Sequence, residues 1–151
     1  MNRIAIFPGS FDPFTIGHDN IIQRTLPLFD KIIIGIGVNA QKKNLFSAQQ
    51  RVEFIKNVYK NEPRIDVLTS NTLTTELAKK VQASFIIRGI RSVRDFEYER
   101  DIAEMNKQAT GIETLLLFTD QRYNYISSSI IRELYSYGEN INKFLPQPLQ
   151  E

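Results

Sequence analysis

Residues 3–18 read RIAIFPGSFDPFTIGH. Arg3 to Phe7 is a short run rich in β-branched residues that ends at Pro8-Gly9, which predicts a strand. From Gly17 to Phe29 the apolar residues Ile21, Ile22, Leu26 and Phe29 recur at helical spacing, so a strand gives way to a helix across one Pro- and Gly-rich turn. Pro27 predicts a kink or an early end to that helix. The same alternation continues downstream. Lys31 to Val38 (KIIIGIGV) reads as a buried strand whose Gly35 and Gly37 imply close backbone approach. Ser47-Ala-Gln-Gln50 has capping-box spacing, and Val52, Ile55 and Tyr59 carry the helix on. Further strands are predicted at Arg64–Thr69, Ser84–Arg88 and Glu113–Thr119. Further helices are predicted at Thr74–Gln82, Arg94–Ala109 and Ser127–Tyr137, with Gly111 and Gly138 as stops for the last two. Asn142 to Glu151 is a tail with two prolines and room for one short turn.

Strands alternating with helices predict an α/β chain with a mostly parallel sheet. Strands this apolar need cover on both faces. The expected fold is a Rossmann-like, doubly wound, five-stranded parallel sheet, a single domain over residues 1–151. The 151 residues suit one domain and a real hydrophobic core. There are no cysteines, which removes disulfides, thiolate metal sites and a cysteine nucleophile together. Nineteen Lys+Arg against seventeen Asp+Glu leave a net charge of +2. That balance is too mild to argue a nucleic-acid partner, so any phosphate chemistry must come from local placement of cations. Apolar runs such as Leu115-Leu116-Leu117-Phe118 fall far short of the roughly 20 residues of a membrane helix. The N-terminus has no signal-peptide pattern. No membrane association and a cytoplasmic location are expected.

In a doubly wound sheet ligands bind beyond the carboxyl ends of the strands, where strand order reverses. Four segments at such ends carry chemistry. After the first strand comes Pro8-Gly-Ser-Phe-Asp-Pro-Phe-Thr-Ile-Gly-His18, which places backbone N–H groups and the chain's one histidine at a helix start, a ready anion site. Ser10 and Asp12 also read as ordinary turn residues. After the second strand, Lys42 and Lys43 are either solvated or one supplies a point charge to a phosphate. After the fourth, Arg88, Arg91 and Arg94 flank Gly89; they either bind phosphate in bidentate fashion or pair with acids of the next helix. After the fifth, Tyr123 to Arg132 (YNYISSSIIR) opens a helix with three consecutive hydroxyls where one cap needs only one. Tyr123 or Tyr125 either packs on a base or covers the core. Such a cleft suits phosphoryl or nucleotidyl transfer, where catalysis is mostly positioning and charge stabilisation. No Walker-type Gly-x-x-x-x-Gly-Lys-Ser/Thr is present.

Thr15-Ile-Gly-His18 resembles the T/H-x-G-H signature of the nucleotidyltransferase superfamily, and Ile126-Ser-Ser-Ser-Ile-Ile-Arg132 resembles its I-S-S-S/T-x-x-R/K signature. Within it the chain is similar, from about residue 3 to 146, to the bacterial phosphopantetheine adenylyltransferases. Phe7–Phe14, Ile87–Arg91, Asp95–Glu99, Met105-Asn106 and Phe144–Pro146 carry that likeness. The resemblance implies transfer of the adenylyl group of ATP to 4′-phosphopantetheine, with magnesium (Mg2+), giving dephospho-coenzyme A and pyrophosphate by direct in-line attack and no covalent enzyme intermediate. It implies that His18 stabilises the pentacovalent transition state and that Ser10 and Phe11 contact nucleotide. Ser10, Lys42, Thr74 and Arg88 would bind the acceptor. Gly89, Ile90, Arg91 and Glu99 would bind ATP, along with Tyr123, Asn124, Tyr125, Ile126, Ser127, Ser128 and Ser129. It further implies a homohexamer inhibited by coenzyme A. Ser10 stands where many members have threonine and Thr74 where an apolar residue is common, and Pro27 is unusual in the first helix. Transfer to another acceptor, such as nicotinamide mononucleotide or glycerol phosphate, and nucleotide binding without catalysis are the competing readings.

Overall fold

The computed structural model describes residues 2–150. Five strands form one sheet, β1 (Ile4–Gly9), β2 (Lys31–Gly37), β3 (Ile65–Ser70), β4 (Phe85–Ile90) and β5 (Glu113–Phe118), in the order β3-β2-β1-β4-β5. Every pairing is parallel. The helices are α1 (Ile16–Thr25), α2 (Ala48–Val58), α3 (Thr74–Lys80), α4 (Val93–Thr110) and α5 (Ser128–Ser136). The Rossmann-like doubly wound expectation holds.

Side-chain alternation explains the winding. Ala5 and Phe7 of β1 and Ile32, Ile34 and Ile36 of β2 pack with Ile21 and Ile22 of α1 and Ile55 of α2. Their neighbours Ile6 and Ile33 point the other way, into Leu77 and Ala78 of α3. A strand covered on both faces reads as an unbroken apolar run, which is why KIIIGIGV shows no alternation. Gly35 makes the close approach expected of it: a Cβ there would stand 3.0 Å from Leu77 Cδ2. Gly37 makes none; a Cβ would meet only Gly9 O at 3.8 Å, an ordinary contact.

Pro27 ends α1 as expected, in a short 3-10 turn at Leu26–Leu28. Ser47 and Gln50 close the capping box of α2 reciprocally. Gly111 caps α4 at φ 77°, a left-handed conformation that glycine adopts without strain. The tail contributes one 3-10 turn, Asn142–Phe144, whose neighbours Ile141 and Leu145 seal a third core cluster with Ile126 and Ile131.

Candidate active site

The chain leaves β1 toward β2 on one flank and β4 toward β5 on the other, so strand order reverses between β1 and β4. These two strands pair only at Ala5–Phe85 and Ile6–Ile86. Beyond that point they are unpaired, and a cavity of about 540 Å³ opens there. Ser10 and Lys42 line it on the β1 and β2 side; Gly17 and His18 lie at the α1 N-terminus. Arg88, Gly89 and Arg91 follow the β4 end, and Ser127–Ser129 bring the α5 N-terminus.

His18 is part of its helix cap. The Thr15 N–H donates to His18 Nδ1 at 2.9 Å, and the His18 N–H donates back to Thr15 Oγ1 at 3.4 Å. Nδ1 is thus an acceptor, which leaves the proton of the neutral ring on Nε2. The ring sits among Phe7, Phe11 and Phe14, with centroids 6.3, 5.0 and 5.3 Å away. Burial, then the charges of Arg91 and Arg88, push its pKa from 6.5 down to about 4. The group facing the cleft at neutral pH is therefore an uncharged donor, able to hydrogen-bond an oxygen that gains charge.

That displacement has a consequence for stability. The unfolded chain takes up a proton at this ring below pH 6.5, whereas the folded chain refuses it until about pH 4. Stability linked to the ring is complete above pH 6.5 and lost as the pH falls toward 4. The span corresponds to about 3 kcal/mol. Urea unfolding should show the gap between wild type and His18→Ala narrowing by about that amount from pH 7 to pH 4. A gap constant with pH would contradict it.

Phe11 is a non-glycine residue at φ 49°. Its ring folds back over Gly9, where a Cβ would come within 2.8 Å of Phe11 Cζ. Glycine at that position lets Phe11 support the imidazole edge-on.

The cations are held differently. Lys42 Nζ donates to Ser10 Oγ at 3.2 Å. Arg88 grips Glu99 with two hydrogen bonds, 2.6 and 2.9 Å, and reaches Pro8 O at 3.1 Å. Arg91 donates to Ile126 O at 3.3 Å and lies 3.9 Å from Asp95. Arg88 and Arg91 thus pair with acids of α4 while lining the cleft, whereas Arg94 does not line it.

The serine triplet divides its work. Ser127 Oγ accepts from the Ile130 N–H as the cap of α5. Ser128 Oγ donates to Pro13 O at 3.0 Å, and Ser129 Oγ accepts from Arg132 at 3.1 Å. Arg132 also donates to Asp12 O at 3.0 Å. Ser128 and Arg132 thus fasten the α5 N-terminus to the β1–α1 turn, so the two helix starts face one cleft.

Four expected residues are not among those lining the cavity. Ile90 is a core side chain, 4% exposed. Thr74 opens α3, and neither it, Asn124 nor Tyr125 lines the cavity. Tyr125 is 68% exposed and covers no core, whereas Tyr123 lines the cavity. Asp12 is more than a turn residue: it is buried, and its carboxylate accepts the Leu45 and Phe46 N–H groups at 2.8 and 2.9 Å. Asp95 and Thr119 also line the cavity. Asp95 belongs to a stretch that carries the family likeness but was given no site role, and nothing in its neighbours marked Thr119.

Residues 6–134 match the cytidylyltransferase-like family model. The chain is 50% identical to the phosphopantetheine adenylyltransferase of Bacteroides thetaiotaomicron over 148 residues, 98% of each chain. It is 51% identical to that of Bacteroides fragilis, over 98% of this chain and 99% of the relative. The chain belongs to the phosphopantetheine adenylyltransferase family. Among solved structures, a bifunctional NMN adenylyltransferase/ADP ribose pyrophosphatase from Francisella tularensis aligns with a TM-score of 0.77 at 18% identity, over 97% of this chain and 46% of that one. A lipopolysaccharide core biosynthesis protein from Thermoplasma volcanium aligns at 0.59 and 15%, over 80% of this chain and 98% of that one. These distant likenesses show that the family shares its fold with proteins of other kinds.

Magnesium held by protein side chains requires a cluster of oxygen or nitrogen donors. No three acidic or imidazole groups cluster among the described residues. Glu99 is occupied by Arg88 and Asp12 by backbone N–H groups. The cleft does not fit a metal caged by protein side chains.

Proposed function

We infer that this chain transfers the adenylyl group of ATP to 4′-phosphopantetheine, releasing pyrophosphate and forming dephospho-coenzyme A for coenzyme A biosynthesis. The observation that carries the reading is one cation-lined cleft where His18 and the serine triplet meet, in a chain about half identical, end to end, to curated members of the family. The acceptor's own phosphate attacks the α-phosphorus in line, which requires no protein nucleophile. His18 Nε2–H donates to the α-phosphate oxygens as charge builds on them. The α5 N-terminus, with Ser127–Ser129, and Arg91 hold the ATP phosphates. Lys42, Ser10 and Arg88 hold the acceptor phosphate. Magnesium would be bound with ATP and would offset phosphate charge there, and no side chain of this chain is assigned to hold it.

Pyrophosphate release from ATP across a panel of phosphorylated acceptors tests this. Release is expected with 4′-phosphopantetheine and not with nicotinamide mononucleotide or glycerol phosphate. Preference for one of the latter would reassign the acceptor, and no release with any would reduce the chain to a binding module. Lys42→Ala is expected to weaken acceptor binding about tenfold, about 1.4 kcal/mol, and to change ATP binding far less. Equal losses by calorimetry would remove Lys42 from the acceptor side.

Homohexameric assembly, inhibition by coenzyme A and a cytoplasmic location follow as proposals from the same kinship. Among the described residues no helix is long and apolar enough to cross a membrane. Sedimentation tests the assembly and dephospho-coenzyme A formation with added coenzyme A tests the inhibition.

A further inference from the structure

Arg51 of α2 has no part in the chemistry above, yet it is nearly enclosed, at 3% exposure. Among the described residues its hydrogen bonds all run to backbone carbonyls. Nη1 donates to Ser10 O at 2.7 Å and to Gly37 O at 3.3 Å. Nε donates to Phe46 O at 3.2 Å and to Ser47 O at 3.4 Å. No carboxylate among the described residues pairs with it. A buried guanidinium with no counter-charge is costly unless its donors are satisfied. Here Nε and Nη1 are satisfied by three separate segments: the turn after β1, the end of β2, and the loop that carries Lys42 into α2. A planar fork of five N–H groups can hold carbonyls from several directions, which a lysine ammonium in the same space cannot match.

Asp12 grips the same loop by its opposite poles. Its carboxylate takes the N–H groups of Leu45 and Phe46, while Arg51 takes the carbonyls of Phe46 and Ser47. The loop is thus fixed a few residues beyond Lys42. At the other end of the guanidinium, the Ser10 carbonyl precedes Phe11, whose φ of 49° costs on the order of 1 kcal/mol for a residue with a side chain. The 2.7 Å bond from Arg51 holds that peptide in place. Ser10 Oγ and Lys42 Nζ, which meet at 3.2 Å, are each carried on a segment that Arg51 fastens.

We propose that Arg51 is a positioning residue for the acceptor half of the site, setting Ser10 and Lys42 at their working separation without touching substrate. It borders a second, smaller cavity behind the β1–α1 turn and does not line the catalytic one. The ATP-facing α5 serines receive no hydrogen bond from it. The proposal rests on the reading that Lys42 and Ser10 hold the acceptor phosphate.

Steady-state kinetics of Arg51→Lys, which keeps the charge and loses the fork, tests it. The KM for 4′-phosphopantetheine is expected to rise roughly ten- to a hundredfold, the scale of a small misplacement, with the KM for ATP within about threefold of wild type. Adding Arg51→Lys to Lys42→Ala should raise the acceptor KM by no more than about twofold over Lys42→Ala alone, because coupled residues are not additive. Equal rises in both KM values, or full additivity, would overturn the proposal. Asp12→Asn loosens the same loop from its other pole and should give the same split; it carries the test if Arg51→Lys does not fold, and an even effect on both substrates there would equally overturn it. Wild-type turnover with 4′-phosphopantetheine is measured first. Its absence would defeat the reading of the reaction itself, a result distinct from loss of the split.

Discussion

Replacing His18 by alanine is expected to lower turnover about 10²–10³-fold, as loss of one donor to a charge-developing oxygen commonly does, while the Kd for ATP changes only a few-fold. The ring is already neutral at working pH, with its pKa pushed down to about 4. On the proposed mechanism its contribution is a hydrogen bond that strengthens as the pentacovalent phosphorus gathers charge, so the loss is expected on kcat and not on ground-state binding. For the same reason the wild-type rate should show no inflection near pH 6.5 traceable to this residue. Rapid-quench turnover and ATP calorimetry on His18→Ala measure both halves. An unchanged turnover number would remove His18 from the chemistry, and an equal loss of ATP affinity would make it a binding group.

Arg88→Met is expected to lower kcat/KM by about 10²–10³-fold and, in addition, to destabilise the fold by about 3 kcal/mol. The guanidinium makes two hydrogen bonds to Glu99 and a third to Pro8 O. Glu99 is 7% exposed, so removing the guanidinium strands a carboxylate beside the proposed acceptor-phosphate site. Two penalties are expected to coincide, an uncompensated buried charge and the loss of the cation proposed to hold the acceptor phosphate, and a second substitution separates them. Glu99→Gln on top of Arg88→Met should restore most of the stability, read by urea unfolding, and little of the turnover. Recovery of both would show that Arg88 serves only to neutralise Glu99.

Much of the fold was legible because it rests on local patterns. The capping box at Ser47–Gln50, the left-handed stop at Gly111 and the early end at Pro27 each follow from a few adjacent residues. Strand ends were less so. β1 runs on through Pro8 and Gly9, two residues past the expected end. Past Ile6 the strand keeps β2 as a partner and loses β4. A proline is tolerated there because the cleft side asks for no ladder hydrogen bond. The same loss of pairing opens the active site, so the one apparent violation of strand rules marks the functional edge.

The site divides in the same way. His18 and the serine triplet stand out because their types and spacings match what a phosphate requires at helix starts, whereas Lys42 beside Lys43 and Arg88 among three arginines are distinguished only by the family resemblance. Asp12 and Arg51 do not stand out. Their decisive partners lie 33, 34 and 41 residues away in sequence, and neither sits in a pattern that sets it apart from a turn acid or a surface arginine. By itself the sequence determined the alternation of strands and helices, the covered sheet and the family of chemistry, since each depends on periodicity or on short runs of residue types. The strand order, the mouth between β1 and β4, the uncharged state of the imidazole and the clamp beneath Lys42 were decided only by tertiary structure. Each of these arises from groups distant along the chain being brought together by the fold, and no local pattern encodes such a meeting.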